Sequence, residues 1–172
     1  KKDSLKVSFG LKTSDHLIFA PRRLTKKNGV IHTLKSMKQL LELHPNAYLF
    51  YAGTGEEFAT LESYIKEHKL SDNVKLLGAV AHKDILNYYT AADVILVPSV
   101  FSAGVEEATS ISALEAMGSH TPLIAGAVGG LKEIVEHEKD GILLPEDKYS
   151  EFHIHISRLL TDKPFAESLL KN

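Results

Sequence analysis

The sequence predicts an α/β fold in which helices cover both faces of a parallel six-stranded sheet. Short apolar runs rich in β-branched and aromatic residues alternate with longer segments of helical period, which is the pattern of repeated βαβ units. The apolar runs are also continuous rather than alternating, as expected of strands that are buried on both faces. We therefore expect all six strands to run in the same direction.

Six apolar runs are the candidate strands. They are LIFA (17–20), AYLFYA (47–52), VKLLG (74–78), DVILVP (93–98), PLIAG (122–126) and GILLP (141–145). Right-handed crossovers between parallel strands bring every strand-to-helix loop to the carboxyl edge of the sheet. Open α/β sheets bind ligands at that edge, so we expect the functional residues in these loops.

Helical periodicity fills the segments between the strands. Two sets of apolar residues step by three or four positions, and each set predicts one buried helical stripe. The sets are Val30, Leu34, Met37 and Leu41, and Phe58, Leu61 and Ile65. Further helices are expected at about 83–91, 109–118, 130–137 and 149–161.

The composition is that of one ordinary soluble domain. The chain has 172 residues, of which 44% are hydrophobic and 24% are charged. A formal charge of -2 gives no general attraction to nucleic acid, so no nucleic-acid partner is expected. No run approaches the roughly 20 apolar residues that span a bilayer. The chain also lacks cysteine, which fits a reducing compartment, so we expect a cytoplasmic protein.

The loop after the first strand, PRRLTKKNG, is strongly basic. Arg22, Arg23, Lys26 and Lys27 lie within six positions, just ahead of a helix that starts near Gly29. On composition alone, this is as consistent with a solvated loop as with a binding site. At the mouth of a parallel sheet, the same cations could clamp a diphosphate, because arginine binds phosphate oxygens bidentately and lysine adds a point charge.

The loop after the second strand, GTGEEF, begins like a dinucleotide-binding fingerprint. Phe58, however, occupies the place of the third glycine, and the loop follows the second strand rather than the first. A tight turn with positive φ accounts for Gly53 and Gly55 better than phosphate binding does.

The segment EEATSISALEAMG places Glu107 and Glu115 with seven residues between them. On a helix they would lie about 80° apart and about 12 Å along the axis, so they cannot share a proton. This argues against hydrolysis by paired carboxylates, which needs a separation of about 5 to 9.5 Å.

Two interpretations of Glu115 stay open. Ser112 and Glu115 have the spacing of a capping box, which would start the helix at Ser112. A start at Thr109 or Ser110 gives a longer helix, packed through Ile111, Leu114 and Met117, whose free N–H groups at 109–111 could bind an anion. Because carboxylates accept hydrogen bonds from vicinal hydroxyls, the second interpretation favours a ligand carrying both sugar and phosphate.

These motifs occur together in a known family. RRLTKKNG, AYLFYAGTGEE, VKLLGAV, YYTAADVILVPS, EEATSISALEAMG and TPLIAGAVGGLKEIVEHEKDGILLP stand in that order. The chain from about Leu5 to Leu160 resembles the Rossmann-like C-terminal domain of the group 1 (GT4) retaining glycosyltransferases of GT-B fold. The resemblance implies that residues 1–172 are a nucleotide-sugar-binding domain cut from a larger two-domain protein.

The resemblance also implies roles for individual residues. Glu107 would bind the donor sugar near its reacting end, and Glu115 would bind the ribose hydroxyls. Arg23 and Lys27, with Lys26 as the alternative to Lys27, would neutralise the diphosphate. Backbone N–H groups of Thr109, Ser110 and Ile111 would add to that site, and Gly78, Ala79 and Val80 would border the base.

The sequence departs from the family pattern at three positions. Asn28 stands where the pattern has its phosphate-binding lysine. Ser110 stands where glycine is commoner, and its hydroxyl could also donate to phosphate. His120 replaces a glycine past the end of a helix, and we interpret it as a stability cost at a position of positive φ.

The resemblance implies a metal-independent enzyme without a cofactor, whose donor is a UDP-, GDP- or ADP-sugar. The sequence has no Asp-x-Asp triplet, and His153 and His155 would point about 200° apart on a helix, so no metal site is expected.

The expected partner is a missing N-terminal half that binds the acceptor and would also carry any peripheral membrane attachment. Without it, the domain should be inactive. Polysaccharide or lipopolysaccharide synthesis is the expected setting.

The sequence argues against two other function classes. A non-catalytic receiver-type module needs acidic residues at the end of the first strand, where this chain has APRR. A sugar-nucleotide epimerase shares the two-domain architecture, but the Glu-x7-Glu segment argues against it.

Overall fold

The structure is a computed structural model that describes residues 1–101 and 110–171. Its six strands form one sheet in the order β3-β2-β1-β4-β5-β6. The strands are β1 (His16–Ala20), β2 (Ala47–Tyr51), β3 (Val74–Leu76), β4 (Val94–Val97), β5 (Leu123–Gly126) and β6 (Ile142–Leu144). All five pairings between neighbouring strands are parallel, which confirms the predicted sheet.

Helices connect these strands and lie before and after them. They are α1 (Lys2–Ser8), α2 (Val30–Lys35), α3 (Met37–Leu43), α4 (Phe58–Glu67), α5 (His82–Ala91), α6 (Ile111–Gly118), α7 (Leu131–Ile134), α8 (Phe152–Thr161) and α9 (Lys163–Ser168). Two 3-10 turns, Lys26–Asn28 and Glu146–Glu151, precede α2 and α8. No helix in residues 1–101 or 110–171 is long and apolar enough to cross a lipid bilayer.

The sheet separates two hydrophobic cores. Successive residues of β1 point to opposite faces, so Ile18 belongs to one core and Leu17 and Phe19 belong to the other. The first core contains apolar residues of α2, α3, α4, α8 and α9. The second core contains residues of α5, α6 and α7, and Leu5 of α1 packs against it. Burial on both faces explains why the strands are continuous apolar runs, and it confirms the prediction of helices on both sides.

The helix predictions need corrections at several boundaries. The stripe that starts at Val30 is divided between α2 and α3 at Ser36, and Leu40 rather than Leu41 is completely buried. Phe58 is 37% exposed, because it stands at the start of α4, where the helix leaves the sheet edge. The helix expected at 130–137 is only the four residues of α7, and the one expected at 149–161 begins as a 3-10 turn. The polar terminal segments, which gave no helical prediction, contain α1 and α9.

The strand order reverses between β1 and β4, which is where open α/β sheets form a ligand crevice. The loops at this edge are tied together by main-chain hydrogen bonds. Leu24 N donates to Thr54 O at 2.9 Å, and Gly53 N donates to Gly78 O at 2.8 Å. The loops after β1, β2 and β3 therefore form one connected layer above the sheet.

Candidate functional site

A cleft of about 430 Å³ lies at the carboxyl edge, between the loop after β1 and the start of α6. Its described lining residues are Pro21, Arg22, Arg23, Lys27, Asn28, Ile111 and Ser112. The structure thus brings together three of the predicted site residues, Arg23, Lys27 and Ile111. Arg23 and Lys27 are exposed. The described lining includes three cations, which suit an anionic ligand.

The loop after β1 is organised from within by two residues. Arg22 is only 9% exposed, and its Nη2 donates to Asn28 Oδ1 at 2.8 Å and to Ser99 Oγ at 2.7 Å. Asn28 is 5% exposed, and its Nδ2 donates to the Arg23 carbonyl at 2.9 Å. Sequence reasoning missed both contributions, since it read Arg22 only as part of a basic run and Asn28 only as a missing lysine.

Gly29 allows the loop after β1 to touch the end of β4. Its φ is 64°, and a Cβ at this position would overlap the carbonyl oxygen of Pro98. Beside this contact, Val100 N donates to Lys27 O at 2.9 Å. A side chain at position 29 would push the basic loop away from β4 and open the cleft.

Gly53 and Gly55 also permit close approach of main chains. A Cβ on Gly53 would overlap the Arg22 carbonyl, and one on Gly55 would overlap the Leu24 carbonyl. Both have positive φ, so the structural interpretation of GTGEEF agrees with their geometry. These glycines are required for two reasons. They allow the turn itself, and they allow the loop after β2 to pack closely against the loop after β1.

The N-terminus of α6 forms the other wall of the cleft. The helix begins at Ile111, and the Ser110 side chain caps it by accepting a hydrogen bond from Ala113 N at 3.1 Å. Ser112 Oγ donates instead to the Pro21 carbonyl at 2.8 Å, so the capping box starting at Ser112 is wrong. The N–H groups of Ile111 and Ser112 lie in the first turn, where a helix offers no acceptor, and both residues line the cleft.

The apolar residues of α6 do not all pack as predicted. Ile111 is 69% exposed and Leu114 is 50% exposed, whereas Ala113 and Ala116 are completely buried. Met117 packs against the second core. The small side chains face the sheet because α6 lies close to β4 and β5, whereas Ile111 and Leu114 point outward.

Glu115 lies half-buried on the second turn of α6. Burial and the neighbouring Glu115 carboxylate raise the pKa of Tyr89 on α5. The Tyr89 hydroxyl makes a long 3.5 Å contact with the Ser112 carbonyl, and Thr121 Oγ1 donates to the Tyr89 carbonyl at 2.9 Å. These contacts fix α6 against α5, so the backbone that carries Glu115 is held in place.

The residues predicted to border a base lie at another part of this edge. Gly78 has a φ of 73° and pairs with Gly53. Ala79 and Val80 line a second cavity of about 380 Å³, together with Phe9, Leu77, Ala81, Asp84, Asn87 and Tyr88. No described residue lines both cavities, so among the described residues the predicted base-binding and phosphate-binding groups lie at separate cavities.

Several predictions lie beyond what the structure describes. Glu107 and Thr109 fall in 102–109, outside the described residues. Within the described part of the chain, no three His, Cys, Asp or Glu side chains are grouped closely enough to hold a metal ion. His153 and His155 are both partly buried on α8.

Ser99 connects the cleft to the far end of the sheet. Its hydroxyl accepts from Arg22, and its carbonyl accepts a hydrogen bond from the Tyr149 hydroxyl. Tyr149 is buried in the turn that follows β6. The back of the cleft is thus built from three distant parts of the sequence.

Comparison with known proteins identifies related sequences. The family model for "Glycosyl transferases group 1" matches residues 1–172. An uncharacterized glycosyltransferase of Methanocaldococcus jannaschii is 33% identical over the whole chain, which covers 43% of that protein. The amylovoran biosynthesis glycosyltransferase AmsK of Erwinia amylovora is 31% identical over 80% of the chain, which covers 35% of it. The chain therefore spans less than half the length of these relatives.

Solved structures share the same architecture. HepE of Anabaena, crystallised with UDP, superposes with a TM-score of 0.85 over 99% of the chain and 46% of its own, at 22% identity. The C-terminal domain of LpcC, a glycosyl transferase group 1 family protein of Francisella tularensis, superposes with a TM-score of 0.84. That match covers 100% of this chain and 88% of the other, at 20% identity. At these identities, the structural similarity shows that the fold is shared, and no more than that.

Proposed function

Because the chain belongs to the glycosyl transferases group 1 family, as a C-terminal domain of GT-B type, we propose that it binds a nucleoside-diphosphate sugar as glycosyl donor. The longer enzyme would transfer that sugar, with retention of configuration, to a glycan or lipid acceptor held by an N-terminal half. The amylovoran-synthesis relative supports a setting in polysaccharide or lipopolysaccharide assembly.

The cleft between the basic loop and α6 is the observation that carries this proposal. Arg23 and Lys27 project into it from one wall, and the first-turn N–H groups of Ile111 and Ser112 lie in the other. Cationic side chains and helix N-termini both stabilise a departing diphosphate, and they require no metal ion. The neighbouring HepE structure contains UDP, which supports a nucleotide ligand.

The remaining roles are those that the family resemblance implies. We assign the ribose hydroxyls to Glu115 and the donor sugar to Glu107. The diphosphate is assigned to Arg23 and Lys27, and to the amides of Thr109, Ser110 and Ile111. The base is assigned to the loop of Gly78, Ala79 and Val80, whose contacts through the main chain leave open whether it is uracil, guanine or adenine.

Calorimetric titration of the 172-residue chain with UDP, GDP and ADP tests the proposal directly. We expect one of the three to bind. Glu115→Ala should weaken that nucleotide by about 1.5 to 3 kcal/mol, the usual value of a hydrogen bond to a charged group. Glu133→Ala, which removes an exposed carboxylate from α7, is the matched control and should change nothing.

Two results would contradict these assignments. If none of the three nucleotides binds, the donor-binding function fails. If a nucleotide binds equally well to Glu115→Ala, the role of Glu115 fails while the function stands. Incubating the longer parent protein with donor and acceptor separates glycosyl transfer from epimerisation, because only transfer produces free nucleoside diphosphate.

A further inference from the structure

Asn28 and Gly29, at the end of the first 3-10 turn, form an asparagine–glycine pair. Asn28 is the one asparagine of the chain that glycine follows, since Asn46, Asn73 and Asn87 precede alanine, valine and tyrosine. The main-chain nitrogen of the next residue can attack an asparagine side chain, and glycine hinders that attack least because it has no side chain. Asn28 is therefore the asparagine whose amide is chemically most vulnerable.

The reaction at such a pair is a deamidation in two steps. The Gly29 nitrogen loses its proton to solvent and forms a bond to Asn28 Cγ with its lone pair, while the bond from Cγ to Nδ2 breaks. Nδ2 takes up a proton and leaves as ammonia, so that a succinimide ring remains. One water molecule then opens the ring at either carbonyl carbon. Attack at Cγ gives aspartate, and attack at the main-chain carbonyl gives isoaspartate.

The fold holds both reacting groups apart from each other. Gly29 N donates to the Lys26 carbonyl at 3.0 Å, so the nucleophile is engaged. Asn28 is 5% exposed, its Oδ1 accepts from Arg22 Nη2 at 2.8 Å, and its Nδ2 donates to the Arg23 carbonyl at 2.9 Å. The side-chain amide must leave both partners before it can turn toward Gly29 N. The reaction therefore requires the loop after β1 to open.

The native structure nevertheless requires both residues of the pair. Asn28 makes the two side-chain hydrogen bonds, and a Cβ at Gly29 would overlap the Pro98 carbonyl oxygen. Isoaspartate adds one methylene group to the main chain between these positions. The added atom would push Gly29 against Pro98 and displace the Lys27 carbonyl, which accepts from Val100 N at 2.9 Å. The isoaspartyl product therefore does not fit the native loop.

The loop is attached to its surroundings by hydrogen bonds that do not involve the pair. Ser112 Oγ, on α6, donates to the Pro21 carbonyl at 2.8 Å, and Leu24 N donates to Thr54 O at 2.9 Å. Local opening of a protein requires only the free energy of the contacts that it breaks. Removing the Ser112 hydroxyl should therefore ease the opening and leave the asparagine–glycine pair itself unchanged.

We propose that Asn28 is a site of spontaneous deamidation whose rate is set by opening of the loop after β1, and that the isoaspartyl product keeps this loop from closing again. The reaction consumes one water molecule and releases one ammonia, and it needs no enzyme. The inference goes beyond the proposed function and does not depend on it, because it involves no ligand.

Deamidation of the 172-residue chain, folded in buffer or unfolded in guanidinium chloride at the same mildly alkaline pH, tests the rate. Mass spectrometry of tryptic peptides measures conversion at each asparagine. In the unfolded chain, Asn28 should convert faster than Asn46 and Asn73, which serve as internal controls. In the folded chain, Asn28 should convert at least about tenfold more slowly than in the unfolded one.

Ser112→Ala tests the role of loop opening. It should speed conversion at Asn28 in the folded chain by about two- to tenfold, the factor that corresponds to one lost hydrogen bond, and change nothing in guanidinium chloride. Ser4→Ala, which removes an exposed hydroxyl from α1, is the matched control and should leave both rates unchanged. Circular dichroism verifies that each variant is folded in buffer.

The product is tested after refolding. Ion-exchange chromatography separates the deamidated protein, and fragmentation of its peptides distinguishes isoaspartate from aspartate. Asn28→Asp carries the same charge without the added main-chain atom. The isoaspartyl protein should melt at a lower temperature than Asn28→Asp, because only the isoaspartyl protein has a lengthened main chain.

Three results would overturn the inference. The first is equal conversion of Asn28 in the folded and unfolded chains, which would show that the fold gives no protection. The second is an unchanged folded rate in Ser112→Ala, which would mean that loop opening does not limit the reaction. The third is an isoaspartyl protein that melts as Asn28→Asp does, which would show that the native loop accepts the product.

Discussion

His120 shows how one residue can be understood from sequence alone. It follows the end of α6 with a φ of 56°, in the left-handed region that favours glycine. The comparison of motifs suggested glycine here, and the backbone confirms the predicted positive φ. The strain of a side chain in this conformation is about 1 to 2 kcal/mol.

We predict that His120→Gly stabilises the protein, by up to about 1 kcal/mol once the greater flexibility of the unfolded glycine chain is included. Glu62→Gly, at an exposed position in the interior of α4 with no such strain, is the control and should destabilise by about 1 kcal/mol. Urea unfolding measures both. A lower stability for His120→Gly would mean that contacts of the His120 side chain outweigh its backbone strain.

Other residues could not be understood before the structure was known. Arg22 and Asn28 act through hydrogen bonds whose partners depend on tertiary structure, since Ser99 is remote in the sequence. Ile111 and Leu114 look like core residues, and nothing in their spacing shows that α6 turns them outward. Local patterns therefore identified the basic loop but not which of its residues are rigid.

At the scale of elements, α1 is joined to the sheet by a buried ion pair. Lys6, whose side chain is 5% exposed, contacts Asp93 at 2.9 Å and also donates to the Asp15 carbonyl at 2.8 Å. Asp93 also accepts from Leu17 N at 2.8 Å, at the start of β1. One carboxylate thus connects α1, β1 and the start of β4. The polar sequence of α1 gave no sign of this, because charged residues usually indicate a solvated segment.

We predict that Asp93→Asn destabilises the protein by about 3 to 5 kcal/mol, because it leaves the Lys6 ammonium buried without its counter-charge. Lys2 also contacts Asp93, at 2.8 Å, but its side chain is 45% exposed. Lys2→Ala should therefore cost no more than about 1 kcal/mol. Denaturant unfolding of the two variants checks the difference, and equal losses would argue against the buried pair.

Strands were predicted more accurately than helices, for a physical reason. Most of the strands are buried on both faces, so their whole runs are apolar and stand out in the sequence, whereas β3 has the exposed Lys75 at its centre. The division of the 30–41 segment at Ser36 leaves the helical period almost unbroken, since Ser36 keeps a helical φ and ψ. Short helices such as α7 have too few residues to show a period at all.

At the scale of the whole molecule, Asp93 also affects how stability varies with pH. Burial would raise its pKa, but Lys2, Lys6 and the Leu17 N–H lower it below the usual value. A carboxylate with a lowered pKa stabilises the fold fully above its unfolded pKa of about 3.9, and this contribution is lost as the pH falls through the folded value.

We expect the free energy of unfolding to decrease as the pH falls below about 4, and the decrease to be smaller in Asp93→Asn. Urea titrations of both proteins between about pH 2 and pH 6 measure it. If the free energy of unfolding falls equally steeply with pH in both proteins, groups other than Asp93 govern acid unfolding. His16 affects the stability at higher pH. Burial lowers its pKa, so the free energy of unfolding also decreases as the pH falls below about 6.5, the pKa of histidine in the unfolded chain.

Ser99 has a consequence for how the binding edge matures during synthesis. The ribosome releases the basic loop early. The hydrogen bonds that hold Arg22 in this loop lead through Ser99 to Tyr149, which lies in the turn after β6. A nascent chain that ends before this turn carries the described cations of the cleft without the hydrogen bond that Tyr149 donates to Ser99. We therefore expect the loop after β1 to reach its final geometry only after the last strand has joined the sheet.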